Sequence, residues 1–192
     1  MSILVKTPSP LTTVQDAGRF GYQSSGIRPS GVMDVAAYEA ANALVGNAQG
    51  EAVLEMTFLG ATLEFQEETW FAATGADMQA KLDGVPIARY QAVRAAAGQT
   101  LSFGMAMSGC RGYFAVRGGF DVPLVMGSRS TDMSAKLGGF EGRALKAGDV
   151  LPTLSGDDWT PQEISYVIPV YESAITVRVV PGPQEEYFTA AG

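Results

Sequence analysis

Apolar positions recur at two periods along this chain. Over residues 35–45 they fall at helical spacing, and Ala37, Ala40, Ala41 and Leu44 share one face. Asp34 precedes them as an N-cap and Gly46-Asn47 follows as a C-cap signal, which predicts a helix running to about Val45. Elsewhere the period is two, or the apolar runs are short. Ile3–Lys6 predicts a strand stopped by Pro8 and Pro10, and Thr12–Ser30 reads as a glycine-rich loop. Between Val53 and Phe65 the alternation changes phase. Leu54, Met56 and Phe58 hold even positions, Leu63 and Phe65 odd ones, so a hairpin turn or bulge is expected at Leu59-Gly60. Trp70–Thr74 predicts another strand. Met78, Ala80 and Leu82 alternate up to Asp83-Gly84, a hairpin signal, and Val85–Ile87 begins the return. Leu101 with Phe103, Tyr113–Val116, Val150–Leu151 and Ile175–Val180 read as further strands. The expected fold is mainly β, a barrel or sandwich, with one or two short helices.

Composition narrows the function classes. The chain has 192 residues, 46% hydrophobic and 17% charged, which suits one folded domain or two small ones. Net charge is −7, so nucleic acid and anionic membrane surfaces are not expected partners. Cations still gather at Arg111, Arg117, Arg129, Lys136, Arg143 and Lys146, which leaves a local anion site open. There is no histidine, so Ser-His-Asp and Cys-His chemistry within this chain and most zinc sites are excluded, and no metal site is expected. The one cysteine, Cys110, fits a reducing compartment and, without a histidine beside it, reads as structural. Met1–Pro10 lacks a signal-peptide core, and no apolar run approaches the roughly 18 residues of a membrane span. A cytoplasmic location is expected.

Three segments carry candidate chemistry. In GRFGYQSSGIRPSGVMD (18–34), Arg19, Gln23, Arg28, Ser30 and Asp34 lie among glycines. The segment reads either as a polar loop gripping a carboxylate or as a turn-rich connection with solvated arginines. In RGGFDVPLVMGSRSTD (117–132), Ser128, Arg129, Ser130 and Asp132 suit anion binding, and equally suit turns and caps. KLGGFEGRALKAGD (136–149) carries Lys136 and Arg143 between glycines but lacks the P-loop pattern. The polar stretch 155–161 reads as a linker.

Taken together, the segments 12–34, 40–47, 52–65, 73–84, 111–132 and 138–151 resemble, in order, the biotin-dependent carboxyltransferase family, subdomains A and B. That family includes allophanate hydrolase subunit 2-like proteins and the C-subunit of bacterial 5-oxoprolinase. The resemblance implies cyclophilin-like β-barrels. It divides the chain into a carboxyltransferase-type domain (1–154), a linker (155–174) and the opening of a second, truncated β unit (175–192). It implies a component of an ATP-dependent 5-oxoprolinase, which converts 5-oxo-L-proline to L-glutamate. Two other readings stay open: a regulatory protein that antagonises a sensor-kinase inhibitor, and the carboxyltransferase part of a urea carboxylase. The expected partners are a subdomain C/D-type subunit and a lactam-opening subunit, with a small carboxylate or urea-like substrate. ATP serves the assembly and need not bind here. Biotin would be carried on another protein, since no Met-Lys-Met attachment motif occurs. The expected substrate-binding residues are Arg19, Gln23, Ser30, Arg129, Ser130, Lys136 and Arg143. Asp34 and Asp132 are expected to orient them or to move a proton.

Overall fold

The structure, a computed structural model, describes residues 1–154, 159–162, 164–172, 174–180 and 182–189. Among the described residues, eleven strands form two antiparallel sheets. In chain order they are β1 (Ser2–Thr7), β2 (Thr12–Gln15), β3 (Val53–Thr57), β4 (Thr62–Phe65), β5 (Thr69–Asp77), β6 (Lys81–Leu82), β7 (Val85–Pro86), β8 (Ala92–Ala95), β9 (Thr100–Ser102), β10 (Ser108–Val116) and β11 (Val150–Pro152). One sheet runs β11-β1-β4-β9-β6-β7 and the other β2-β3-β10-β5-β8. The main core lies between them. Ile3, Val5, Leu63, Phe65 and Leu101 of the first sheet meet Leu54, Met56, Phe71, Phe114 and Val116 of the second.

The single α-helix among the described residues, α1 (Val35–Leu44), covers the outer face of the second sheet. Its Ala37, Tyr38, Ala41 and Leu44 pack on Val53, Ala72, Tyr113 and Ala115. The central strands are therefore buried on both faces. This explains why 113–116 reads as a continuous apolar run while neighbouring strands alternate. Asp34 caps α1 as expected: its side chain accepts from Ala37 N at 3.0 Å. The Asp83-Gly84 hairpin also forms, with both residues at positive φ (48° and 82°) between β6 and β7.

Three expectations change. Thr12–Gln15 is not loop but the wholly buried strand β2, paired to β3. Its polar residues bond inside the protein, and that burial hides the strand from a hydropathy pattern. The phase change at Leu59-Gly60 is no hairpin, because β3 and β4 belong to different sheets. The chain crosses there with Phe58 at φ 59° and exposed, while a side chain on Gly60 would strike Phe103. Ile175–Val180 forms no strand: Val177, Val179 and Val180 stand 67%, 79% and 92% exposed. Before that stretch, Trp159 packs edge-on against Trp70, Tyr166 sits against Tyr90, and the Tyr171 hydroxyl reaches Asp34 at 3.4 Å. Residues 155–158 of the expected linker lie outside the described residues. No helix among the described residues is long and apolar enough to cross a membrane.

Candidate functional site

The site is assembled by two loops that grip each other. After β2 the chain doubles back on itself: Arg19 N donates to Pro29 O at 2.6 Å and Val32 N to Asp16 O at 3.0 Å. The neck is tight. A Cβ on Gly31, at φ 95°, would come within 2.9 Å of the Gly18 Cα. The second loop, 125–139, docks on this neck through Asp16. The Asp16 carboxylate accepts from the Ser128 and Ser130 hydroxyls, from Arg129 N and from Gly18 N. Its own N–H donates to Ser130 Oγ at 2.9 Å.

Arg19 completes the joint, fully buried. Its Nε donates to Val125 O at 2.8 Å and its Nη2 to Ser130 O at 2.9 Å. The guanidinium expected to hold substrate is thus taken up by backbone carbonyls. Ser130 is likewise consumed by Asp16. Arg129 turns toward Glu51, at 3.5 Å, and away from the cleft described below. Arg143 forks onto Asp149 (2.7 and 3.0 Å) and Glu141, stapling the turn before β11. Gln23 is exposed and accepts from Gly21 N within its own 3-10 turn. Lys136 is exposed and lines a separate hollow of about 520 Å³ with Val125 and Phe140. Asp34 lies at another cleft, of about 720 Å³, beside Ser108, Cys110, Arg111 and Tyr171.

Of the expected residues, Ser30 and Asp132 meet in one cleft of about 390 Å³. They share it with Thr13, Gln15, Arg28, Glu55, Arg111 and Ser134. Asp132 is a hub. Its Oδ1 accepts from Arg28 Nη2 at 2.7 Å, from Ser134 N and Oγ at 3.0 and 3.1 Å, and from Ala135 N at 3.1 Å. Burial favours its neutral form, but the bonds from Ala135, Arg28 and Ser134 outweigh this and bring its pKa down to about 2. At neutral pH Asp132 is therefore ionised and holds Arg28, the orienting one of the two roles expected of it.

Arg111 enters from β10, where a register shift between Ser108 and Gly112 coincides with a close approach to Gly75. Its Nη1 lies 3.2 Å from Glu55 Oε1 and also donates to Thr57 Oγ1. Glu55 Oε2 accepts from Met33 N at 2.7 Å and from the Tyr113 hydroxyl at 2.8 Å. Tyr113 in turn accepts from Asp34 N at 2.7 Å. Burial, then the neighbouring Glu55 carboxylate, hold the Tyr113 phenol well above its ordinary range, so it remains a donor. The pairing is dictated by register: Tyr113 stands opposite Glu55, and Arg111 opposite Thr57.

Sequence reasoning missed Asp16, Glu55 and Arg111. A signal existed for Glu55, a carboxylate at the centre of the buried run VLEMT. Arg111 was marked only as one of a loose group of cations and Asp16 not at all, because their partners lie far along the chain. Among the described residues no cluster of acids or cysteine could hold a metal ion.

Comparison with known proteins agrees with this architecture. The chain matches the carboxyltransferase domain, subdomain A and B, over residues 25–192. It is 41% identical to the 5-oxoprolinase C-subunit of Escherichia coli, over 94% of this chain and 57% of that protein. It is 42% identical to urea amidolyase of Saccharomyces cerevisiae, over 78% of this chain and 8% of that protein. Its fold superposes on the crystal structure of Kluyveromyces lactis urea carboxylase with a TM-score of 0.80 and 39% identity, covering 84% of this chain and 15% of that one. The crystal structure of TTHA0988 superposes with a TM-score of 0.86 and 34% identity, over 96% of this chain and 68% of that one. The chain spans a little over half the length of the bacterial relatives it matches. The chain therefore belongs to the carboxyltransferase-domain family, in the part formed by subdomains A and B.

Proposed function

We propose that this chain supplies the carboxyltransferase-type part of a 5-oxoprolinase, in an assembly that opens 5-oxo-L-proline to L-glutamate with ATP. The observation that carries the reading is the 41% identity to a 5-oxoprolinase C-subunit over 94% of the chain. The cleft around Arg28, Ser30, Arg111 and Asp132 supports it, being a hollow of about 390 Å³ that sets polar groups beside Leu11 and Met133 and is sized for a small acid or amide. Residues 1–154 form the working unit in this reading, 155–174 link it onward, and 175–192 open a second β unit. Its partners are a subdomain C/D-type subunit and a lactam-opening subunit, in the cytoplasm.

In this reading the chain need not bind ATP itself. The N-terminus of α1, the α-helix end among the described residues where a phosphate could dock, is filled by the Asp34 carboxylate. ATP is then bound by a partner, and any biotin arrives on another protein. A second reading is carboxyl transfer to a urea-like substrate, favoured by the 42% identity to a urea amidolyase.

The test is ATP-dependent release of glutamate from 5-oxo-L-proline by the full-length protein mixed with its partner subunits, each omitted in turn. Activity lost on omission of this protein supports the lactam reading. Activity that persists without it refutes that reading and turns attention to urea carboxylation.

A further inference from the structure

Hydrogen bonding in the 390 Å³ cleft is unbalanced. Both of its carboxylates already accept from at least three residues. Asp132 receives Arg28, Ser134 and Ala135, and Glu55 receives Arg111, Met33 N and Tyr113. Its two arginines keep spare donors. Arg28 uses Nη2 on Asp132 at 2.7 Å and Nε more weakly at 3.4 Å, which leaves Nη1 without a partner among the described residues. Arg111 uses Nη1, which leaves Nε and Nη2 without one. The Arg28 side chain is 65% exposed, while the Asp132 it rests on is 2% exposed. One end of that pair is anchored and the other is presented to the cleft. What remains on offer is a surplus of N–H donors, and such a surface is satisfied by acceptor oxygens.

We infer that Arg28 and Arg111 form a clamp for the carboxylate of a small monoanionic amide, with Asp132 and Glu55 as the positioning residues that hold the two guanidinium groups in place. Each cation already has a carboxylate partner, so the cleft carries no net positive charge. That disfavours polyanions such as nucleotides and leaves directional hydrogen bonding as the selective force. Ser30 and Ser134 offer hydroxyls to the amide end of the same molecule. The clamp rests on the reading above only for the choice of 5-oxo-L-proline as probe.

The experiment is calorimetric titration of the full-length protein with 5-oxo-L-proline, with 2-pyrrolidinone (the same lactam lacking the carboxylate) and with succinamate, an open-chain amide acid. Both acids are expected to bind, and 2-pyrrolidinone at least about tenfold more weakly. Arg28→Lys and Arg111→Lys keep the charge but lose the fork, and each is expected to weaken both acids about tenfold. Should a variant fail to fold, the wild-type protein answers directly. On adding 5-oxo-L-proline, the side-chain nitrogen resonances of Arg28 and Arg111 shift, and those of Arg19 and Arg143 do not.

Equal affinity for 5-oxo-L-proline and 2-pyrrolidinone, no binding by any of the three, or unmoved Arg28 and Arg111 resonances would overturn the clamp. The lactam-opening reading fails separately. If the acids bind as expected but no mixture releases glutamate, the clamp stands and that reading falls. If both lysine variants release glutamate with an unchanged KM, the clamp falls and the reading survives.

Discussion

Replacing Arg19 by methionine separates a structural arginine from a ligand-binding one. The substitution keeps the apolar stem and removes the guanidinium. Two good bonds disappear, from Nε to Val125 O at 2.8 Å and from Nη2 to Ser130 O at 2.9 Å, and both carbonyls are left inside the protein. Bonds from a charged donor contribute about 1.5–3 kcal/mol each, so the loss is about 3–6 kcal/mol. One term offsets it. Arg19 Nη1 is itself buried without a partner among the described residues, and its removal restores about 1–3 kcal/mol. The net destabilisation spans about 0–5 kcal/mol and centres on about 2.5 kcal/mol. For a chain of this size that central value lowers Tm by about 5–10 °C. Urea unfolding followed by circular dichroism reads the same quantity as a fall in midpoint at constant slope. A variant as stable as the parent but unable to bind 5-oxo-L-proline would refute the structural assignment and return Arg19 to the ligand.

Three further outcomes follow from the same joint and cleft. Asp16→Asn weakens the bonds from Ser128, Ser130 and Arg129 N at once, and should cost about 2–4 kcal/mol in urea unfolding. Gly138→Ala should destabilise by more than about 2 kcal/mol, because the new methyl strikes the Ser130 carbonyl and the Arg19 guanidinium. Gly127→Ala has open space and should lose only the smaller cost of its positive φ, so the difference in Tm between the two isolates the steric part. Asp132 has its pKa depressed to about 2, so it adds stability above its unfolded value of roughly 3.9 and loses it as pH falls toward about 2. Asp132→Asn should flatten the fall in Tm across that window, and an unaltered acid limb would rule out Asp132 as its source.

How much was legible in the chain depended on how local each determinant is. The helix over residues 35–44 was readable from its cap and spacing, and the Asp83-Gly84 hairpin from two residues that accept positive φ. Both need only neighbours in sequence. Strand β2 escaped because its Thr12, Thr13 and Gln15 are polar yet buried, with partners at Ser9, Gly31 and Thr131. The phase change near Leu59 was real, but its cause was a crossing between sheets rather than a turn within one. A pattern of two faces cannot tell these apart, since either device re-aims the side chains. The resemblance found the right segments without fixing the jobs of the residues inside them.

The arginines show why a candidate site cannot be read from residue type alone. Arg19 and Arg28 lie nine residues apart in one glycine-rich loop, and Arg129 and Asp132 stand three apart in another. Sequence offers no ground for preferring one to its neighbour. The fold separates them by whether their spare donors are buried or open to the cleft. Arg19 commits its fork to the Val125 and Ser130 carbonyls, and Arg143 to Asp149 and Glu141. Arg28 and Arg111 each commit part of theirs to a carboxylate held by further donors, and keep the rest at the cleft. Arg19 is wholly buried, so it adds rigidity, and a ligand would have to displace its carbonyl partners at a cost of a few kcal/mol before gaining anything. A half-paired arginine on a locked carboxylate is already oriented and loses little further side-chain entropy on binding. Exposure of the spare donors, on a fork whose other end a buried carboxylate anchors, therefore distinguishes a recognition arginine such as Arg28 from a scaffold arginine such as Arg19.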